Sequence, residues 1–217
     1  MSSGEQLEWQ AELFSGSQPD ISPSFDGLQH IDLDSSSWVE YVPGWLAGSD
    51  VLFDTLVAQI DWQDLDRVMY GQVVAQPRRT ARWQGEPDLP ILAAMGEALS
   101  GRYDVEFDSV GLNLYRDGRD SVAWHGDRIP RSIIDPIVAL VSLGHPRRFL
   151  LRPKGGGRSV PFDLGRGDLL VTGGSCQRAW QHCVPKVATA GPRISIAYRH
   201  SANKGEPAAL APDTYRP

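Results

Sequence analysis

The sequence predicts a mainly β domain, a sandwich or barrel, with helices flanking it on the N-terminal side. Three observations carry that expectation. The chain has 217 residues, 41% of them apolar, which is enough to bury one sizeable core in one domain, at most two. Helical periodicity is confined to two stretches ahead of residue 105. From Val105 onward, short β-prone runs alternate with Gly and Pro, the pattern of strands joined by turns.

Residues 1–37 are rich in Ser, Asp, Gly and Gln and predict an acidic N-terminal arm, partly irregular. Ser49–Trp62 predicts a helix, because Val51, Leu52, Leu56, Val57 and Ile60 make one apolar stripe and Ser49 suits the N-cap. A second helix is predicted over Pro90–Leu99, with Pro90 in its first turn and Gly101 at its end. Strands are predicted at Ser109–Tyr115, Pro136–Leu143, Arg148–Leu151, Asp168–Thr172 and Arg193–Arg199. The folded domain is therefore expected over residues 38–200, followed by a tail over 201–217.

Two strands alternate informatively. In Ser109–Tyr115 the period of two puts Val110, Leu112 and Leu114 on one face and Gly111, Asn113 and Tyr115 on the other. In Arg193–Arg199 the apolar face is Ile194, Ile196 and Tyr198, and Arg193, Ser195, Ala197 and Arg199 share the opposite side. Spacing alone leaves those arginines open between solvent decoration and a site.

No run of eighteen apolar residues and no basic segment ahead of an apolar stretch occurs, so neither a membrane span nor a secretory signal is expected. Cys176 and Cys183 are too few for a disulfide framework and read as small packing residues. The expectation is a cytoplasmic monomer. The net charge of −6 conceals an asymmetry: residues 1–66 hold thirteen acidic and no basic residues, −13, and the remainder carries +7. Such a division points to a polyanionic partner, to an acidic arm lying on a basic body, or to a solvated acidic face.

The sharpest short segment is Trp124-His125-Gly126-Asp127. In extended chain His125 and Asp127 project to one side, so an imidazole and a carboxylate can meet one ion, with Gly126 giving the backbone room. Of the five histidines, His182, after the Asp168–Thr172 strand, is the best third ligand. Two histidines and one carboxylate leave coordination positions open on Fe(II) for a chelating co-substrate and O2. A lone His-x-Asp is a weak pattern, and a satisfied structural histidine is the competing reading.

The order of further features sharpens this. Asn113-Leu114-Tyr115, then His125-Gly126-Asp127, then Gly167-Asp168-Leu169-Leu170-Val171 with Trp180-Gln181-His182-Cys183-Val184-Pro185-Lys186, then Pro192-Arg193-Ile194-Ser195-Ile196-Ala197-Tyr198-Arg199 resembles the AlkB family of Fe(II)/2-oxoglutarate-dependent dioxygenases, alkylation-repair type. The likeness covers about residues 67–200 and includes Pro77-Arg78-Arg79-Thr80-Ala81, Ser142-Leu143-Gly144 and Gly173-Gly174.

The resemblance implies a double-stranded β-helix, or jelly roll, core with flanking helices. It implies His125, Asp127 and His182 as the iron ligands, with no catalytic residue beyond them, and Asn113, Tyr115, Arg193, Ser195 and Arg199 as the 2-oxoglutarate site. A buried dianion needs cations, and arginine offers it a bidentate fork. The cofactors implied are Fe(II), with 2-oxoglutarate and O2 as co-substrates. The reaction implied is oxidative dealkylation of N-alkylated bases such as 1-methyladenine and 3-methylcytosine in methylated DNA or RNA, single-stranded or with the base flipped. Arg78, Arg79, Arg82 and Trp83 lie where the family recognises nucleotides, read either as arginines for phosphates with the indole for stacking or as a basic hairpin with Trp83 packing in the core. Arg147, Arg148, Arg152, Lys154 and Arg158 form a second basic run, read either as a grip on backbone or as a solvated loop. Arg128-Ile129 replaces acidic residues common after the His-x-Asp, and Arg128 beside a cationic base is repulsive unless it turns to phosphate. The alternatives are an oxygenase of a protein side chain or small metabolite, and a catalytically silent nucleic-acid-binding relative.

Overall fold

The computed structural model describes residues 17–69, 72–84, 88–127 and 129–203, so residues 1–16 of the expected arm, Arg128 and residues 204–217 of the expected tail lie outside the described residues. In chain order the elements are β1 (Asp20–Ile21), β2 (Gln29–Asp32), β3 (Ser37–Val42), β4 (Leu46–Ala47), α1 (Ser49–Gln59), β5 (Gln63–Met69), β6 (Gln72–Gln84) and α2 (Pro90–Tyr103). They continue as β7 (Ser109–Tyr115), β8 (Val122–His125), β9 (Val138–Gly144), β10 (Arg147–Pro153), β11 (Val160–Leu164), β12 (Asp168–Gly174), α3 (Cys176–Ala179), β13 (Trp180–Val184) and β14 (Arg193–Arg199).

A major sheet runs β2-β3-β12-β9-β14-β7-β6-β5 and a minor one β11-β10-β13-β8, both antiparallel. From β7 to β14 the chain passes back and forth between them, which makes the core the double-stranded β-helix expected. Strand alternation sets the layers. One face of the major sheet packs Val110, Leu112, Val141, Leu143, Ile194 and Ile196 against Leu52 and Leu56 of α1 and Leu92, Met95 and Leu99 of α2. A second core, between the sheets, joins Val39, Tyr115 and Leu170 to Phe149, Leu151, Phe162 and Val184.

The helices differ from expectation at their ends. α1 begins after Gly48 in left-handed conformation, with no side-chain cap from Ser49, and stops at Gln59. There Ile60 turns extended and the Trp62 indole donates to the Leu56 carbonyl. α2 passes straight through Gly101 to Tyr103 and ends at Asp104, φ 52°. The stripe Leu92, Met95, Leu99, Tyr103 continues at helical spacing, and Tyr103 stacks on Trp38 and donates to Glu40 Oε2 at 2.7 Å. That packing outweighs the ~1 kcal/mol by which glycine disfavours a helix interior.

Strands β7 and β14 have the predicted limits, and the acidic stretch before them is structured: β2 and β3 extend the major sheet beyond β12. Two of its acids meet arginines. Glu40 pairs with Arg102 at 3.3 Å and Asp64 with Arg79 at 3.3 Å.

Candidate active site and metal centre

Between the two sheets lies a cavity of about 230 Å³. The polar faces of β7 and β14 form one wall: Asn113 and Tyr115 from β7, and Arg193, Ser195, Ala197 and Arg199 from β14. The register explains why they meet, because β14 pairs antiparallel with β7 so that Arg193 lies beside Tyr115 and Ser195 beside Asn113. The minor sheet supplies Val122 and His125 from β8, Phe149 from β10, and His182 and Val184 from β13.

His125 and His182 are cross-strand neighbours, their rings 4.3 Å apart, and with Asp127 they offer three ligand atoms within 4.8 Å of one another. Each of the three is oriented by a neighbour. His125 Nδ1 lies 2.8 Å from the Ala123 carbonyl, which fixes the protonated nitrogen there and leaves Nε2 free to bind. His182 stacks on Phe149, and burial, partly opposed by Asp127, holds its pKa down to about 4, so it is a neutral imidazole at pH 7. Burial pushes Asp127 up, but the Arg199 guanidinium and the imidazoles outweigh it and hold the carboxyl at about 2. Arg199 donates to Asp127 Oδ1 through Nη2 at 2.7 Å and Nε at 3.2 Å. Gly111 makes room for it: a Cβ there would lie 3.3 Å from Arg199 Nη1. An anionic carboxylate and two imidazole nitrogens are the donor set a divalent iron needs.

At the other end sits Arg193, fully buried, its Nε donating to Ser142 Oγ at 2.7 Å and its Nη1 and Nη2 without a hydrogen-bond partner among the described residues. Two aligned, desolvated N–H pairs with no acceptor are what a bidentate carboxylate would satisfy. Metal ligands at one end and an unsatisfied guanidinium at the other fit a short dicarboxylic oxo acid.

One polar cavity residue escaped the sequence, and another, Arg78, has a place other than the one expected. Gln177 on α3 accepts from the Asp127 N–H at 3.4 Å and donates to Thr172 Oγ1 at 2.7 Å. Nothing local in its sequence marks it. Arg78 lines the cavity and donates to Asn113 Oδ1 at 2.7 Å.

The expected nucleotide-binding group divides between the two faces of its strand. β6 is one extended strand against β7, so its side chains alternate: Arg78 and Arg82 share the face of Asn113 and Gly111, and Arg79 and Trp83 the face of Leu114 and Val110. Arg79 pairs with Asp64, and Trp83 is half-buried against the helix-side core, so its indole is engaged in packing. Arg82 is exposed. Arg147 also leaves the second basic run, since β10 begins at that residue and turns it inward to 2% exposure. Arg148 pairs with Asp163, and Arg152 lies 3.9 Å over the Trp124 ring. Cys176 and Cys183 are free and buried.

The family model described as the 2OG-Fe(II) oxygenase superfamily matches residues 5–199. The chain is 31% identical over 183 residues to the alpha-ketoglutarate-dependent dioxygenase alkB homolog 3 of Bos taurus, covering 72% of this chain and 64% of that one. It is 30% identical over 202 residues to the Mus musculus protein of the same name, covering 80% and 70%. To the DNA oxidative demethylase ALKBH2 of Arabidopsis thaliana it is 31% identical over 216 residues, covering 78% and 68%. The chain thus spans about two thirds of the length of these curated relatives.

Proposed function

This chain belongs to the AlkB family of Fe(II)/2-oxoglutarate-dependent dioxygenases, and from that premise we propose that it removes N-linked alkyl groups, such as those of 1-methyladenine and 3-methylcytosine, from DNA or RNA. The observation that carries the reading is one cavity with the His125, Asp127 and His182 ligand atoms at one end and the partnerless Arg193 Nη atoms at the other.

In this reading His125, Asp127 and His182 hold Fe(II), and Arg193 and Tyr115 hold the far carboxylate of 2-oxoglutarate. When bound, the iron, 2-oxoglutarate and O2 supply the oxidation that hydroxylates the N-alkyl carbon, which then leaves as an aldehyde. The chain supplies position and environment. Arg199 keeps Asp127 ionised and aimed, and the Ala123 carbonyl keeps the His125 Nδ1 proton away from the ion. Asn113 donates to Ser195 Oγ at 3.4 Å and accepts from Arg78, which orders the polar floor. Val138, Leu140, Leu170 and Val184 keep the walls dry. An alkylated base reaches so recessed a site only unpaired or flipped, and Arg82, exposed on the strand face shared with Gly111, is placed to meet its phosphates.

The test is a panel of methylated and unmethylated DNA, RNA and nucleosides with Fe(II), 2-oxoglutarate and ascorbate, scored for formaldehyde and succinate. Formaldehyde released in step with loss of the methylated base is the expected result. Steady succinate formation with no methylated oligomer demethylated refutes the substrate assignment and leaves the oxygenase chemistry standing.

A further inference from the structure

We propose that Arg147 is a positioning and specificity residue for the co-substrate: a second buried cation behind Tyr115 that makes the far end of the cavity select a dianion. It rests on the reading above that the far carboxylate of 2-oxoglutarate sits at Arg193.

Arg147 is 2% exposed, and among the described residues its guanidinium donates to three backbone carbonyls and to no carboxylate. Nη1 reaches Asp117 O at 2.9 Å, and Nη2 reaches Asp120 O at 2.9 Å and Pro185 O at 2.8 Å. Its guanidinium carbon lies 5.8 Å from the centre of the Tyr115 ring, and that of Arg193 lies 5.2 Å from the same centre. One phenol ring therefore has two interior cations as neighbours. The carboxylates nearest Arg147 belong to the loop it grips, and both are already matched, Asp117 by Arg119 at 2.6 Å and Asp120 by Arg116 at 2.8 Å. With the loop neutral, the charge of Arg147 is left over, and in a low-dielectric interior it acts on whatever occupies the space beyond Tyr115.

The same contacts give it a mechanical role. The loop after Tyr115 and the loop after β13 meet each other, Val187 N–H donating to Gly118 O at 2.9 Å. They approach so closely that a Cβ on Gly118 would lie 2.4 Å from Val187 O. Arg147 fastens both, one through Asp117 and Asp120, the other through Pro185. A planar fork spans acceptors on two loops, whereas a lysine at this position keeps the charge and loses most of the fork. That difference separates the electrostatic role from a merely structural one.

The experiment measures binding without turnover: titration of 2-oxoglutarate, and of its 5-methyl ester with an uncharged tail, into the full chain loaded with Mn(II). Wild type, Arg147→Met, Arg147→Lys and Arg193→Met are compared, each checked by thermal unfolding. Expected for Arg147→Met is an increase of about tenfold in the Kd of 2-oxoglutarate, ~1.4 kcal/mol, with the Kd of the ester changed by less than about twofold. Arg147→Lys is expected to recover most of the 2-oxoglutarate affinity although it unfolds at lower temperature. Equal weakening of both ligands, or a lysine variant as poor as the methionine one, overturns the proposal. Should Arg147→Met fail to fold, Arg193→Met decides. A residual preference of about threefold for the dianion over the ester supports a second cation, and its complete loss overturns it. Wild-type protein that binds no 2-oxoglutarate overturns the co-substrate reading itself, a separate result.

Discussion

Replacing Arg199 by methionine keeps the packing of the stem and removes the cation that faces Asp127. In the native protein Asp127 Oδ1 accepts two N–H bonds from that guanidinium, at 2.7 and 3.2 Å, and the two side chains are 10% and 24% exposed. Burial alone would raise the carboxyl; the charges around it, Arg199 foremost, bring it to about 2 from an ordinary 3.8. A depression of that size corresponds to roughly 2.5 kcal/mol of stability. Because the folded value is the lower one, that stability is present in full above about pH 4 and is lost as the pH falls toward 2. Truncating one partner of a buried pair costs about 3–5 kcal/mol. The metal-free variant is therefore expected to lose about 3 kcal/mol at pH 7, or ~6–12 °C in Tm for a chain of this length. A divalent ion on the triad supplies the missing counter-charge, so saturating Mn(II) is expected to cut the loss to about half or less. Unfolding of wild type and Arg199→Met in EDTA and in Mn(II) measures both numbers. An equal loss with and without metal, or none in EDTA, refutes the assignment of Arg199 as the electrostatic partner of a metal-binding carboxylate.

Ser142→Ala removes the acceptor of Arg193 Nε and is expected to raise the KM for 2-oxoglutarate about tenfold while kcat stays within about twofold, the scale of a charged hydrogen bond; an unchanged KM in succinate assays contradicts it. Burial pushes Glu40 up, but Tyr103, His30 and Arg102 outweigh it and hold the carboxyl below its ordinary 4.5, so its stabilisation is present above pH 4.5 and fades as acid lowers the pH through the folded value. Tyr103→Phe is accordingly expected to lose about 1–2 kcal/mol at neutral pH and less at pH 3, and urea midpoints that fall equally at both values argue against this. Arg82→Ala is expected to weaken binding of methylated single strands and to reduce the salt slope by about one. Arg79→Ala, whose cation faces Asp64, is expected to do neither, and equivalent effects of the two in salt-dependent fluorescence titrations would discard the face assignment.

The polar half of the site was legible because it rides on two strands with clean alternation. Leu112 and Leu114 fix the buried face of β7 and Ile194 and Ile196 that of β14, and the opposite faces then follow. His125 and Asp127 were legible as a local pair, and His182 only by elimination, since its pairing with His125 across the minor sheet is long-range. β8 and β13 are only four and five residues long, with Val and Trp their strand-favouring residues beside His, Gln and Cys, so the strand signal there is weak. Basic residues were the least legible. Arg78 and Arg79, or Arg147 and Arg148, are indistinguishable as composition, and only the phase of β6 and β10 sends one inward and its neighbour outward. Gly101 misled for the complementary reason: its local preference is weak beside the burial of Tyr103 at the next turn.

That phase dependence changes what the charge asymmetry means. The +7 over residues 67–217 looks like a surface for phosphates. Arg147 and Arg193 lie in the interior, and Arg199 is directed at Asp127. Arg79, Arg102, Arg116, Arg119 and Arg148 each face a carboxylate, and for Arg79 and Arg102 that carboxylate comes from the acidic first 66 residues. Counterion release counts only cations that meet phosphate; the acids facing Arg116, Arg119, Arg148 and Arg199 are already subtracted in the +7, so it is Arg79, Arg102, Arg147 and Arg193 that lower it, and the salt dependence of the proposed nucleic-acid binding is expected to be shallower than the segment charge implies. Glu40 and Asp64 then act less as a detachable shield than as partners fixed to the folded body, Glu40 clamping α2 through Tyr103 and Arg102 and Asp64 meeting Arg79 on the adjacent strand.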